Sequence, residues 1–209
     1  LPTVMTGNLQ ISGAVNTLTL SAATTLNGTL NILAASTGVL ATSAANMLTV
    51  ANSIAGAVVQ SGAAYVDGPM RRAMPVGASA GTWLFPVGKG GTYYPFAVQN
   101  PTTAGGATIQ AEAFNVGSGG TADGTSINTL AATEYWQASV AAGLFTNGLM
   151  QIGKTGVSAS NLIGSSTTLA GTYTSSGANT FAAGTPPTLT RTATDNLAAT
   201  TYFAVGSLP

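Results

Sequence analysis

Leu9-Gln10-Ile11, Leu18-Thr19-Leu20, Leu30-Asn31-Ile32 and Leu48-Thr49-Val50 each place two apolar side chains one residue apart. That spacing puts both on one face of a short strand. Val39-Leu40 and Val58-Val59 fill the gaps less regularly. The units recur every 8–12 residues between positions 7 and 66, separated by Gly7-Asn8, Ser12-Gly13, Asn27-Gly28, Thr37-Gly38 and Ser61-Gly62. One such strand cannot bury its apolar face alone, so the units must stack. A parallel β-solenoid does this, and so does an antiparallel meander. The near-interchangeable Leu-x-Leu units favour the solenoid. Only Asn27-Gly28 has the form of a tight hairpin turn.

The texture changes at Asp67. All ten charged residues lie at or beyond it, as do eight of nine Pro, both Trp and all six Phe. The expected division is residues 1–66, a Leu-rich repeat region, and residues 67–209, an antiparallel β-sandwich. Strands are expected at 82–87, 93–99, 107–116, 133–140, 149–153, 167–174, 187–193 and 200–206. A change of face between Phe114 and Val116 suggests a bulge. Phe85-Pro86-Val87-Gly88 reads as an edge strand. Residues 117–124 and 175–187 read as loops. No segment carries a helical period, so the expected class is all-β.

Composition narrows the function. Charged residues make up 5% of the 209, against about 25% in a typical soluble domain. Five cations balance five anions, which leaves no basic stripe for nucleic acid. Without His or Cys there are no disulfides, no catalytic Ser-His or Cys-His pairs, and none of the usual zinc, haem or iron–sulfur sites. No apolar run reaches the roughly 18 residues of a membrane span. No cofactor, nucleic acid or membrane insertion is expected. The chain opens on Leu1-Pro2 without a signal-peptide pattern, so it is expected to be processed or part of a longer chain.

The densest unusual cluster is Asp67-Gly68-Pro69-Met70-Arg71-Arg72, then Phe85-Pro86-Val87-Gly88-Lys89, then Tyr93-Tyr94-Pro95. Led in by Tyr65-Val66 and closed by Tyr202 to Ser207, this pattern resembles a module of long secreted surface proteins of Bacteroidota-type bacteria. The resemblance implies an extracellular location and a structural or adhesive role. It supplies no catalytic residues.

Arg71 and Arg72 point to opposite faces if they lie on a strand, and the inward one is expected to pair with Glu112 or Glu134. Those two carboxylates are the only candidates for a glycosidase pair, and nothing around them supports one. Asp67, Asp123 and Asp195 stand too far apart in sequence for a calcium loop. Trp83, Tyr93, Tyr94, Tyr135 and Trp136 are the candidate sugar-stacking aromatics, against the plainer reading of core packing. Thr17-Leu18-Thr19 and Thr24-Thr25 start a Thr array that residues 29–60 do not continue. Asn27-Gly28-Thr29 is a glycosylation-type sequon and equally a turn.

Zero net charge removes repulsion between copies. Lys89 and Lys154 are the only lysines available to guard strand edges. The expected function is a self-assembling extracellular structural protein, a subunit or repeat module of a fibre, sheath or surface layer, and not an enzyme. The alternative is a cell-surface adhesin or carbohydrate-binding module, with surface glycans as partners.

Overall fold

The computed structural model describes residues 1–13 and 17–209. Among these there is no α-helix, only one 3₁₀ turn at Ala55–Ala57. The chain is all-β, and it begins as a solenoid. Its strands are β1 (Val4–Met5), β2 (Leu9–Ile11), β3 (Thr17–Thr19), β4 (Thr24–Leu26), β5 (Leu30–Ile32), β6 (Val39–Ala41), β7 (Leu48–Val50), β8 (Val58–Gln60) and β9 (Tyr65–Asp67).

Every pairing among these strands is parallel, and each joins strands three apart in sequence. The stacks are β1-β4-β7, β2-β5-β8 and β3-β6-β9. The coil is therefore three-sided. Val4 lies against Thr25, Thr25 against Thr49 and Thr49 against Arg71, so one coil on this side takes 21 to 24 residues. The short spacing read from the sequence is one side of a coil. Asn27-Gly28 is a corner between two sheets and not a hairpin, since β4 and β5 pair with different strands.

Alternation sorts each coil into inward and outward residues. The inward rows are Met5–Leu26–Val50, Thr24–Leu48–Met70, Leu9–Leu30–Val58, Ile11–Ile32 and Leu18–Leu40–Val66. Leu26, Leu30, Ile32, Leu40, Val50 and Val66 are fully buried. The outward row Val4–Thr25–Thr49–Arg71 has only two Thr, so no flat Thr array forms.

The parallel ladders do not stop at residue 66. β10 (Met70–Met74) pairs in parallel with β7 along one edge and antiparallel with the next long strand along the other. Beyond it come β11 (Gly77–Ala78), β12 (Thr82–Phe85) and β13 (Val87–Lys89), which continues the third stack by pairing in parallel with β9. The remainder are β14 (Thr92–Tyr93), β15 (Phe96–Phe114), β16 (Thr121–Ala122), β17 (Tyr135–Gly153), β18 (Asn161–Ser166), β19 (Thr172–Tyr173), β20 (Asn179–Ala182), β21 (Thr188–Arg191) and β22 (Thr201–Ser207).

The sandwich is built from nine strands of one twelve-stranded sheet, folded over on itself; the other three, β1, β4 and β7, are a side of the solenoid. β15 and β17, of 19 residues each, pair from Phe96↔Ile152 to Phe114↔Tyr135. The first half of β15 takes β11 and β12 on its other edge, and the second half takes β10. β17 likewise carries β22 and then β18 at one end, and β21 and then β20 at the other. The fold line is where the register shifts, between Gln99 and Ala107. A Cβ on Gly143, at φ +75°, would sit 2.3 Å from the Gly106 carbonyl oxygen, so only glycine fits there. The two halves meet through Phe96 and Phe203, with ring centroids 5.6 Å apart, and Phe96 also packs on its cross-strand neighbour Phe85 at 5.8 Å.

Four sequence expectations change. Residues 93–99 and 107–116 belong largely to one strand, β15, and residues 133–140 and 149–153 to one strand, β17. The irregularity lies at the fold line and not at Phe114–Val116. Residues 167–174 contribute only the two-residue β19, while β18 precedes them. The loops at 117–124 and 175–187 contain β16 and β20.

Candidate functional site

The charged residues pair differently from the expectation. Arg72 is fully buried on β10, at the foot of the row that runs Met5–Leu26–Val50. Among the described residues no carboxylate pairs with it. Nη1 donates to the Leu84 carbonyl at 3.0 Å, and Nη2 donates to those of Ile54 at 2.9 Å and Ala55 at 3.2 Å. Burial pulls its pKa down to about 9, while the three carbonyls favour the charged form. Arg71 faces outward and donates from Nε to Gln110 at 3.0 Å.

Glu134 is the buried carboxylate, and its partner is Lys154, with Nζ–Oε2 at 2.7 Å. The Thr133 hydroxyl also donates to Oε2. Glu112 is half-buried opposite Gln137, and burial raises its pKa, opposed by the charge of Lys89. Lys89 itself pairs with Asp67 at 2.7 Å. Both lysines are thus engaged in ion pairs. Asp123 organises its own loop, accepting from the Ser126 hydroxyl and from the amides of Thr125, Ser126 and Ile127. These bonds hold its pKa down at about 2. Among the described residues no group of three or more acidic side chains forms a metal cluster.

The five aromatics do not make a stacking platform. Trp83, Tyr135 and Trp136 are buried. Trp83 donates from Nε1 to the Ser53 carbonyl at 2.8 Å, and Trp136 donates to the Tyr94 carbonyl at 2.9 Å. Tyr94 packs edge-on against Trp136, and Tyr135 stacks on Phe114 with centroids 4.4 Å apart. Tyr93 is half-buried in a cleft of about 400 Å³ shared with Ser61, Gly62, Thr155 and Pro186. These residues join the layers together.

The two ends of the solenoid differ. At the far end two of the inward rows turn polar. Met5–Leu26–Val50 runs into Arg72, and Ile11–Ile32 runs into Gln60. Both heads bind backbone carbonyls: Arg72 those of residues 54, 55 and 84, and Gln60 those of Gly62 and Ala64. Trp83 on β12 closes over the 53–55 corner through its bond to Ser53. Orphan carbonyls at a buried end need donors of this kind.

The near end has no such closure among the described residues. β1, β2 and β3 each pair along one edge only. Leu18 is 44% exposed, although Leu40 beneath it in the same row is fully buried. Met5 and Ile11 are half-buried above fully buried Leu26 and Ile32. Val4, facing outward, is 56% exposed. This surface is a hydrophobic core cut across, bounded by unpaired strand edges and carrying no charged side chain. The sequence points to stacked units, but it does not reveal that only one end is closed, because the closing residues, Trp83 and Arg72, lie beyond the repeats.

In comparisons with protein-family models, with curated proteins and with solved structures, nothing matches this chain.

Proposed function

We propose that this chain is an extracellular structural protein, a self-assembling subunit or repeat module of a surface fibre, sheath or surface layer. The observation that carries the reading is the open first coil. Three strands with free edges, exposed Leu18 and half-buried Met5 and Ile11 form a surface that association would bury. Natural sheet edges are normally guarded by lysines, charges or prolines. Here residues 1–66 hold no charge, and both lysines are held in ion pairs elsewhere.

The closed far end shapes the assembly. Two copies meeting through their open coils make a self-complementary, two-fold contact, which closes. Extension into a polymer needs a second contact, and among the described residues the outer edge of β20 is unpaired and open to it. The extracellular location rests on the resemblance of the Gly-Pro-x-Arg-Arg and Phe-Pro-Val-Gly segments.

Light scattering of the whole chain tests this. Deletion of residues 1–66 is a poor probe, since it would strip Arg72 of two carbonyl partners and uncover β10. Leu18→Lys places a charge on the open coil at an already exposed position. The parent should associate, and the association should persist at about 1 M salt, because screening acts on charges that the contact lacks. Leu18→Lys should abolish or sharply weaken the solenoid-end contact. A parent that stays monomeric at high concentration overturns the proposal.

A further inference from the structure

In the sandwich, the chain between β21 and β22 runs beside β18 and residues 146–147 of β17. Two adjoining cavities lie there, of about 410 and 500 Å³, and they share Ser165, Thr174, Asp195 and Asn196. Their sizes fall within the range of small-ligand sites, about 300–1,000 Å³. Together they form one continuous groove.

Its chemistry is polar and neutral. Arg191 lies at its floor and is only 3% exposed. Nη1 donates to the Ser165 hydroxyl at 3.1 Å and to Asp195 Oδ2 at 3.1 Å. Among the described residues, Nε and Nη2 make no hydrogen bond within the protein. The guanidinium is a rigid planar fork, so these donors are fixed in direction before any ligand arrives. Asp195 is fixed as well. Its backbone exchanges two hydrogen bonds with Gly148, at 2.8 and 3.0 Å, and Oδ1 accepts from the Leu197 amide at 3.0 Å. Asn147, Thr174 and Asn196 add amides and hydroxyls on the walls.

Other ligand classes fit poorly. A protein partner wants an apolar centre, and the groove offers only Ala198 and Ala199. Phosphates want unpaired cations, and the one cation here is neutralised by Asp195. What remains is a molecule rich in hydroxyls, each able to donate and accept at once. We propose that this groove binds a neutral saccharide, with the free Arg191 donors and the Asp195 carboxylate engaging neighbouring hydroxyls. The groove is separate from the open coil, so the inference stands or falls independently of assembly.

The test titrates the whole chain with neutral cello-, malto-, manno- and galacto-oligosaccharides, and with oligogalacturonate as the acidic counterpart. Backbone amide shifts are followed by NMR. At least one neutral oligosaccharide should give saturable shifts centred on Ser165, Thr174 and Asn196. Binding should hold between roughly 0.1 and 1 M salt, as a neutral contact is not screened. Asn196→Trp fills the groove from an exposed wall position. It gives up the exposed bond from the Ala198 amide to Asn196 Oδ1, so it should lower the thermal melt only slightly, and it should raise Kd at least about tenfold. No saturable shift with any neutral oligosaccharide overturns the proposal. So do shifts that lie elsewhere, an Asn196→Trp variant that binds as the parent does, or binding confined to oligogalacturonate.

Discussion

The Arg72 guanidinium donates through Nη2 to the Ile54 carbonyl at 2.9 Å, across the end of the solenoid core. A charge scarce in this sequence is thus used to close a stack of coils. With the bonds to Ala55 and Leu84, it ties the last corner of the solenoid to β12.

Removing that side chain deletes three hydrogen bonds to backbone carbonyls, of which that of Ile54 keeps another donor, the Ala57 amide, and it leaves a cavity. Arg72→Ala is expected to cost about 3–5 kcal/mol. Arg71→Ala, which loses a half-buried bond to Gln110, should cost about 1 kcal/mol or less. Urea melts of the two variants check this, and equal midpoints would refute the assigned role.

The Lys154–Glu134 pair should behave as a buried ion pair. Lys154→Met leaves a carboxylate that is 1% exposed without its cation, and should cost about 3–5 kcal/mol. Adding Glu134→Gln should restore a large part of the loss. A double variant as unstable as Lys154→Met alone would show that the charge pairing is not the cause.

Coil corners stack closely enough to exclude a methyl group. A Cβ on Gly62 would lie 2.0 Å from the Leu33 carbonyl oxygen, whereas one on Gly56 meets nothing within 4 Å. Gly62→Ala should therefore lower Tm, and Gly56→Ala should leave it unchanged or raise it slightly. Differential scanning calorimetry of the two separates them.

Acid should loosen the Asp123 loop late. The carboxyl pKa is lowered in the folded chain to about 2, first by the Ser126 hydroxyl and the Ile127 amide. A depressed acid pKa gives a contribution that is full above the unfolded value, near 4, and lost as pH falls through about 2. Protection factors of the Ser126 and Ile127 amides, with the intrinsic pH dependence of exchange divided out, should hold steady from pH 7 to about 4 and fall only below it. Protection lost already near pH 5 would count against the assignment.

The sequence alone determined the all-β class and favoured a solenoid over a meander. Leu30-Asn31-Ile32 and Leu48-Thr49-Val50 have period two, which is local information, and glycine-rich corners between them say where each strand ends. It also located the change of texture at Asp67. What it left open were relations between distant residues. Arg72 was expected to find an acid, yet its partners are the backbone carbonyls of Ile54, Ala55 and Leu84, and carbonyls carry no signature in sequence. Phe96–Phe114 read as two strands because Gly105-Gly106 interrupts the alternation, and only pairing along β17 makes it one. Trp83, Tyr135 and Trp136 look alike as exposed or buried until the sheet folds over them. The groove at Arg191 draws on residues from 146 to 201, brought together by β17, β18 and the chain after β21. Local patterning fixes which face of a strand is apolar. Which end of the stack is closed, and what surrounds each charge, is decided by contacts far apart in the chain, and those exist only in the folded protein.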